Sequence, residues 1–529
     1  MPLRFSNHPP SKRYLLLLFI FSLLLSVGIN ELNRYHIKQL NPTNEIQNGQ
    51  SLVHGYTVYS VDNEWYLPQI RHYAKGEGFT LDPGNPHMAV RRTPGYPLFY
   101  GAHYLLFGEV GAHYYIRFTQ CFLFAFSAVL LTLLSWDIFK NSRISYAAGI
   151  LYGSSPFLMV GLYSTITEAL HPSLVVITLF LFYKALKKMQ TGWWMLCGLS
   201  AAAMVLTRPL NLFLILAFAV LVLYLLIRRG WSYFSAGLYF SVGLLLLLLP
   251  WTVRNYSITG DLIVLEKFYH EDPMIWGKGQ NAFRGWWSAW DRPRAELLGF
   301  QLIRGAEEET TYAIDAYVAS LPAYALQGYS REDVRRGLLA LQDCYRFKLE
   351  QGIGIRAYGP GETPPLCEEE VKQHFLELTE QFKANAPFRY YVITPLKLYK
   401  EFIFHSYSSG YAGLQPSADG YSLLQLLIKT GLYGLNVLLH ASIFLFLLFA
   451  KGQVQQKILF GTFYVSTALF LCFGLWGVRY VEVRYMLQTY PLLYCTLAWL
   501  LWQLYVGMKS YMQRRRRSAN QQLSAEAHS

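Results

Sequence analysis

The chain has 529 residues, of which 53% are hydrophobic, 16% aromatic and only 15% charged. A soluble domain carries about a quarter charged residues, so this composition excludes an ordinary soluble protein and indicates one that crosses a membrane. The formal net charge of +13 does not indicate nucleic-acid binding, because the lysines and arginines fall mostly beside apolar segments and form no zinc-finger or basic-helix pattern.

Ten segments are apolar over roughly the 20 residues that a membrane-spanning helix requires. The first, 14–29, follows Lys12 and Arg13, and we interpret it as an uncleaved anchor because no small-residue cleavage site comes after it. The other spans are predicted at 114–139, 144–160, 170–186, 192–207, 209–227, 233–251, 422–449, 457–476 and 487–507. The predicted fold class is therefore an α-helical polytopic membrane protein with about ten transmembrane helices.

Clusters of lysine and arginine set the predicted orientation. The basic clusters outside the two long loops all lie on the same predicted side of the membrane as the N-terminal cluster. They are at 140–143, 184–188, 228–229, 451–457 and 514–517. Cytoplasmic loops carry the excess of basic residues, so both termini are predicted to be cytoplasmic. The two long segments, 30–113 and 252–421, then face the outer side of the membrane.

This topology divides the chain into four parts. They are an N-terminal transmembrane module with the first outer loop (1–251), a large outer loop region (252–421), C-terminal transmembrane helices (422–507) and a basic cytoplasmic tail (508–529). In the second loop, Ser330 to Asp333 resembles a capping box, and one helical face follows it with Val334, Leu338, Leu341 and Tyr345. Cys344 and Cys367 could pair if this loop faces an oxidising compartment.

The first outer loop carries two carboxylates, Asp62 and Glu64, close to two arginines and an aromatic set. A carboxylate at a membrane surface acts as a general base on a hydroxyl when its geometry and pKa allow it. The Asp-x-Glu spacing alone has little specificity, so a solvated loop with an incidental acid is the alternative.

The segment from Arg92 to Pro97 predicts a rigid corner ahead of the second span. Pro94 and Pro97 each fix φ, and Gly95 is expected to let the chain turn between them. The prolines suit a purely structural bend, whereas Arg92 is placed to hold an anionic head group.

Glu168 lies at the start of a later span, in the sequence Thr165-Ile166-Thr167-Glu168. Two interpretations stay open for it. Thr165 to Glu168 fits a structural N-cap box, but an acid at a membrane boundary also indicates a functional site.

Several arginines stand at predicted outer ends of spans, against the positive-inside bias; they are Arg208, Arg254, Arg479 and Arg484. Guanidinium groups bind phosphate bidentately and stay charged. Snorkelling to lipid head groups explains any one of them, but together they indicate an anionic ligand. No metal-ligand spacing and no glycine-rich phosphate loop stands out, so neither a metal nor a cofactor is expected.

Six short motifs occur in one order between about residues 60 and 490, and together they resemble the GT-C superfamily of polyprenyl-phosphate-dependent glycosyltransferases. The resemblance is to its protein O-mannosyltransferase and aminoarabinose transferase-like bacterial members. The motifs are Asp62-x-x-x-Tyr66, Arg92-x-Pro-Gly-Tyr96-Pro97, Thr167-Glu168, Thr207-Arg208-Pro209, Pro250-Trp251-x-x-Arg254-Asn255 and Arg484-Tyr485.

The resemblance implies an inverting transferase in the bacterial inner membrane that works on the periplasmic face. It moves a hexose or pentose from a polyprenyl-phosphate donor to a hydroxyl of a glycan, lipid or protein. Asp62 would be the base, Glu64 its competitor, and Glu168 an orienting acid. Donor and phosphate binding would fall to Tyr66, Arg92, Tyr96, Arg208, Arg254, Arg479, Arg484 and Tyr485.

Two other classes of function stay open. A transporter or flippase of lipid-linked glycans has paired repeats and broken helices with polar groups near the midplane, and no repeat is evident here. The arginines are consistent with an O-antigen ligase or polymerase-like enzyme. Asp62 and the Pro-Gly-Tyr-Pro sequence are less consistent with that class.

Overall fold

The computed structural model describes residues 8–41, 51–267, 277–291, 295–352, 365–416, 420–451, 454–473 and 483–526. The chain separates into two compact units. The first contains Met1–Glu266, Phe404–Thr467 and Arg484–Ser529, and the second contains Lys267–Ile403 and Ala468–Val483.

The first unit is built almost entirely of helices. They are α1 (Lys12–Leu40), α2 (Pro68–Ala74), α3 (Gly95–Phe139), α4 (Ser142–Gly153), α5 (Pro156–Met159), α6 (Thr167–Lys188), α7 (Thr191–Thr207), α8 (Leu212–Arg229) and α9 (Ser232–Thr259), with α16 to α18 given below. A two-stranded antiparallel hairpin, β1 (Leu52–Val53) and β2 (Thr57–Val58), lies between α1 and α2.

Helices α10 to α15 make up the second unit: α10 (Lys278–Trp290), α11 (Ala295–Glu307), α12 (Tyr312–Ser320), α13 (Arg331–Glu350), α14 (Leu366–Asn385) and α15 (Thr394–Ile403). The last three helices of the chain are α16 (Leu423–Phe449), α17 (Val454–Phe473) and α18 (Tyr490–Glu526).

Seven stretches among the described residues are long and apolar enough to span a membrane: Lys12–Leu40, Gly95–Phe139, Thr167–Lys188, Pro209–Arg229, Ser232–Thr259, Leu423–Phe449 and Arg484–Arg516. The predicted class, an α-helical polytopic membrane protein, is confirmed. The other predicted spans coincide with α4 and α5, with the 17-residue α7 and with α17. The count of ten stays a prediction.

The first loop is shorter than predicted at both ends. Helix α1 continues to Leu40, and α3 begins at Gly95 instead of near residue 114. Helix α3 consists of two helices joined at a kink, because Gly108 adopts φ 68° and ψ −179°. Such a left-handed φ is accessible to glycine without steric cost, and the helical segment before the kink lies within the predicted first loop.

The predicted corner at Pro94 is also different in detail. Pro94 caps α3 and Pro97 lies in its first turn, where a fixed φ suits a helix. Gly95 is required for close packing and not for a turn, since a Cβ there would stand 2.5 Å from the backbone nitrogen of Thr207. The Thr165 cap was also wrong, because Ile166 occupies the N-cap of α6 and no side chain caps this helix.

The second unit has its own aromatic core, formed around Phe283, Trp286 and Phe375. The capping box at Ser330 is confirmed, and the apolar face of α13 is buried in this core. A disulfide joins Cys344 to Cys367. Close to it, the buried Lys348 ammonium lies 2.8 Å from the carboxylate of Glu368.

Candidate functional site

Asp62 lies in a single 3-10 turn, Val61–Trp65, in the segment between the hairpin and α2. Ser60 begins this turn, and its hydroxyl accepts a hydrogen bond from the backbone N–H of Asp62. The Asp62 carboxylate forms an ion pair with Arg484, which follows it by 422 residues in the chain. The first and last of the six motifs therefore meet.

Arg484 joins two carboxylates. Its Nη1 binds Asp62 Oδ2, and its Nε lies 3.1 Å from Oε1 of Glu168. Arg484 stands in the 3-10 helix Val483–Thr489, which leads into α18. The guanidinium thereby links the polar first loop to the start of α6.

Glu168 is buried, with a side chain only 6% exposed, and its charge is balanced from a second direction. Nη1 of Arg208 lies 2.5 Å from its Oε1, and the hydroxyl of Thr167 donates to its Oε2 at 2.9 Å. Arg208 follows the last residue of α7, and its guanidinium stacks 5.1 Å from the ring centre of Tyr485. Both residues of the motif Arg484-Tyr485 thus contact this cluster.

The result is a chain of alternating charges in the order Asp62, Arg484, Glu168, Arg208. We call these four residues the ion-pair chain. Two carboxylates and two guanidinium groups give it no net charge, which limits the cost of burying them. Its exposure changes along its length: the side chains of Asp62 and Arg484 are 26% and 30% exposed, and those of Glu168 and Arg208 are 6% and 10% exposed.

A cation–aromatic group lies beside the ion-pair chain. The guanidinium of Arg92 stands 5.6 Å from the ring of Trp65 and 5.9 Å from that of Tyr66. Loss of hydration raises the pKa of Tyr66 to about 12, so this hydroxyl stays protonated and can donate a hydrogen bond. Arg92 also lies 3.8 Å from Glu266, whose pKa is raised because burial outweighs the nearby guanidinium.

Tyr96 is fully buried behind Tyr66, with the two ring centres 5.7 Å apart. Its hydroxyl donates to Gln120 at 3.0 Å. Tyr96 therefore supports the ring of Tyr66 from inside the helix bundle.

Arg254 is used differently from the other arginines. Its guanidinium donates to the backbone carbonyls of Phe79 and Ala89 at 2.5 and 2.7 Å and stacks 4.6 Å from the ring of Trp251. These contacts fix the segment between α2 and α3 to α9. The structure thus gives Arg254 a framework position and does not bring it into the ion-pair chain.

Two predicted site residues stand apart for other reasons. Glu64 is exposed to solvent on the same 3-10 turn that carries Asp62. Arg479 lies outside the described residues. The geometry thus distinguishes Asp62, which joins the ion-pair chain, from its nearest competitor.

Sequence reasoning missed Glu266 and the contact that aligns the first loop with α6. Val58 of the hairpin donates to the carbonyl of Tyr163 at 2.8 Å and forms a parallel bridge with Ser164. An alternating pattern of two residues per strand is too short to indicate a strand. No signal in the sequence pointed to Glu266.

Residues 91–253 match the family model described as dolichyl-phosphate-mannose-protein mannosyltransferase. This match confirms the resemblance to the GT-C superfamily. The matched segment includes Arg92, Glu168 and Arg208, whereas Asp62 and Arg484 lie outside it. A comparison with curated proteins gives no match.

Solved structures similar to the chain include two of the Archaeoglobus fulgidus oligosaccharyltransferase. The first is AglB with an inhibitory peptide and a dolichol-phosphate, at 12% identity and a TM-score of 0.43. The match covers 95% of this chain and 52% of the AglB chain. The second carries a tethered acceptor peptide, at 12% identity and a TM-score of 0.46. The match covers 92% of this chain and 49% of the other. The chain therefore spans about half the length of these two proteins.

A third similar structure is ArnT from Cupriavidus metallidurans bound to undecaprenyl phosphate. It has 12% identity and a TM-score of 0.34, and the match covers 92% of this chain and 77% of that one. At such identities and TM-scores, these similarities do not define the activity of this chain.

Proposed function

We propose that the chain transfers a sugar from a polyprenyl-phosphate donor to an acceptor hydroxyl, on the periplasmic side of a bacterial inner membrane. The observation that carries this proposal is the ion-pair chain. It places a partly exposed carboxylate, Asp62, directly against a partly exposed guanidinium, Arg484. A general base next to a phosphate-binding cation is what displacement of a lipid phosphate by a hydroxyl requires.

In this reaction the acceptor hydroxyl attacks the anomeric carbon of the sugar. Its proton passes to Asp62 as the new carbon–oxygen bond forms. The bond from the anomeric carbon to the phosphate oxygen breaks, and the lipid phosphate leaves with the bonding electrons. A single displacement of this kind inverts the configuration at the anomeric carbon.

Arg484 is our candidate for binding the donor phosphate. Without a donor it is paired with Asp62, so each of the two groups occupies the other. A phosphate accepts bidentate hydrogen bonds from a guanidinium. A donor phosphate that takes over one face of Arg484 would release Asp62 to accept a proton. The Arg484–Asp62 pair would thus keep both groups occupied until a donor is bound.

The buried half of the ion-pair chain would hold Arg484 in place. Glu168 accepts from Arg484 on one oxygen and is fixed by Arg208 and Thr167. A residue in this position restrains the rotamers of its neighbour, and such preorganisation matters for stabilising a leaving phosphate. We therefore assign Glu168 and Arg208 to positioning rather than to proton transfer.

Arg92 and Tyr66 offer a second place for the donor. The guanidinium of Arg92 is 22% exposed and the Tyr66 hydroxyl is protonated, so both can donate hydrogen bonds to a phosphate or a sugar. Tyr96, Arg254 and Tyr485 would support these groups through the contacts described above. The acceptor hydroxyl would belong to a glycan, a lipid or a protein.

The test compares Asp62→Asn with Glu64→Gln in proteoliposomes supplied with radiolabelled polyprenyl-phosphate sugars. Loss of a general base costs about 100- to 10,000-fold in rate, so we expect Asp62→Asn to lose at least 100-fold. Glu64→Gln is the matched control from the same turn and should keep nearly full activity. Undiminished transfer by Asp62→Asn would rule out the proposed base. Movement of intact donor across the membrane without product would indicate a transporter instead.

A further inference from the structure

Three metal-ligating side chains converge at the hairpin and the kink of α3, separate from the ion-pair chain. They are His54, Glu109 and His113, and one ligand atom from each lies within 4.8 Å of the others. The Nε2 atom of His54 stands 3.7 Å from Oε1 of Glu109, and the two imidazole ring centres are 5.3 Å apart. His113 is fully buried, whereas His54 and Glu109 are each about one-third exposed.

Local structure explains why these residues meet. Gly108 breaks α3, so Glu109 begins the second half of this helix, and His113 follows one turn later on the same face. His54 lies in the turn between β1 and β2 and adopts φ 50°. A residue other than glycine rarely takes a positive φ unless the surrounding structure holds it there. Both elements that supply ligands therefore contain an unusual backbone position next to the cluster.

The donor set matches a known preference. Two imidazoles and one carboxylate, with a fourth position left for water, form the set that Zn²⁺ takes at open tetrahedral sites. Bonds of about 2.0–2.2 Å would bring the ligand atoms closer together than they stand here. The partly exposed His54 ring, on the three-residue turn between β1 and β2, is the ligand most able to move inward.

Neighbouring groups orient two of the three ligands. The hydroxyl of Thr57 lies 2.7 Å from Nδ1 of His113, and Arg71 donates to Glu109 Oε1 at 2.5 Å. A hydrogen bond to one imidazole nitrogen commonly fixes the ring of a metal-binding histidine. The remaining contact of His113, from Nε2 to the Tyr100 hydroxyl, is longer at 3.3 Å. Arg71 works against a cation, so the site would have moderate affinity.

A simple hydrogen-bonded cluster is the competing explanation. At 3.7 Å, His54 Nε2 and Glu109 Oε1 form an ion pair when the imidazole is protonated, but the distance is too long for a direct hydrogen bond. A metal ion in place of that proton would bind both of these groups and His113 directly.

We propose that His54, Glu109 and His113 bind one transition-metal ion of the Zn²⁺ class. The ion would fix the hairpin to the second half of α3. Asp62 follows the last residue of β2 by four positions, so the ion would also restrain the segment that carries Asp62. The proposed metal site does not depend on the proposed sugar transfer. Its test measures metal binding rather than turnover.

The experiment uses full-length protein purified in detergent with a histidine-free tag and stripped with a chelator. Co²⁺ is titrated in, its d–d absorption is recorded, and Zn²⁺ then displaces it. We expect one ion per chain, with His54→Ala and Glu109→Gln each weakening binding by at least about 10-fold to 100-fold. Exchange of amide hydrogens in residues 51–58 should slow when Zn²⁺ is bound.

His8→Ala is the matched control, because His8 is exposed near the start of α1 and lies outside the cluster. It should bind the metal as the parent does. His54→Ala removes only a partly exposed turn residue, so folding can be checked by an unchanged melting temperature of the metal-free protein. Absence of a stoichiometric ion, binding unaffected by His54→Ala, or equal loss in His8→Ala would each overturn the proposal.

Discussion

Replacing Glu168 with glutamine tests whether the buried half of the ion-pair chain is a structural anchor. The change keeps the shape of the side chain but removes its charge, and it leaves the guanidinium of Arg208, 10% exposed, without a carboxylate. Removing one member of a buried ion pair costs about 3–5 kcal/mol, because the other charge stays buried and uncompensated. We therefore expect a loss of this size for Glu168→Gln. A comparable loss is expected for Arg208→Gln.

The assay is a double-mutant cycle on the free energy of unfolding in mixed micelles, followed by tryptophan fluorescence. The double variant should lose less than the sum of the two single losses, by about 2 kcal/mol, as contacting residues commonly do. Arg304 and Glu308 give a matched control, since the same residue types form an exposed ion pair at the C-terminal end of α11. Their cycle should show no measurable coupling.

The exposed half of the chain is expected to behave differently. Asp62 and Arg484 are each more than one-quarter exposed, so Asp62→Asn should cost about 1 kcal/mol or less. Additive losses in the Glu168–Arg208 cycle would refute the claim that burial makes this pair a structural anchor. A loss for Asp62→Asn as large as that for Glu168→Gln would refute the division of the chain into two halves.

Two further predictions concern the framework. Cys344→Ser should destabilise the second unit by about 3 kcal/mol, because the disulfide to Cys367 closes a separation of 23 residues; the parent under reducing conditions should melt at the same lowered temperature. Gly95→Ala should lower the melting temperature and the yield of folded protein, since its Cβ would lie 2.5 Å from backbone of Thr207. Gly28→Ala, with nothing within 4 Å of its Cβ, is the control and should melt as the parent does.

Much of the fold could be predicted because membrane spans depend on local composition. Continuous apolar runs such as 212–227 specify a helix and its burial in lipid without reference to any distant residue. The capping box at Ser330 is likewise a local signal. The kink at Gly108 was missed because a single glycine in a run of mixed polarity does not reveal whether φ is positive.

The site was predictable only as a set of candidates. The order of the motifs identified Asp62, Glu168, Arg208 and Arg484 as candidates. The spacing of the motifs does not predict which carboxylate forms an ion pair with which guanidinium. Arg254 looked equivalent to Arg484, since both are arginines at the end of an apolar run. The difference arises from tertiary structure, because Arg254 satisfies the carbonyls of Phe79 and Ala89.

The gradient of exposure along the ion-pair chain has a functional consequence. Breaking an ion pair costs little free energy only where water or a ligand can replace the lost partner. This condition holds for the partly exposed Asp62 and Arg484 but not for the buried Glu168 and Arg208. Substrate should therefore enter at the Asp62 end, while the buried end keeps Arg484 aligned through Nε. Neutralising the exposed end should remove transfer with little loss of stability. Neutralising the buried end should lower both, because the anchor and the alignment depend on the same carboxylate.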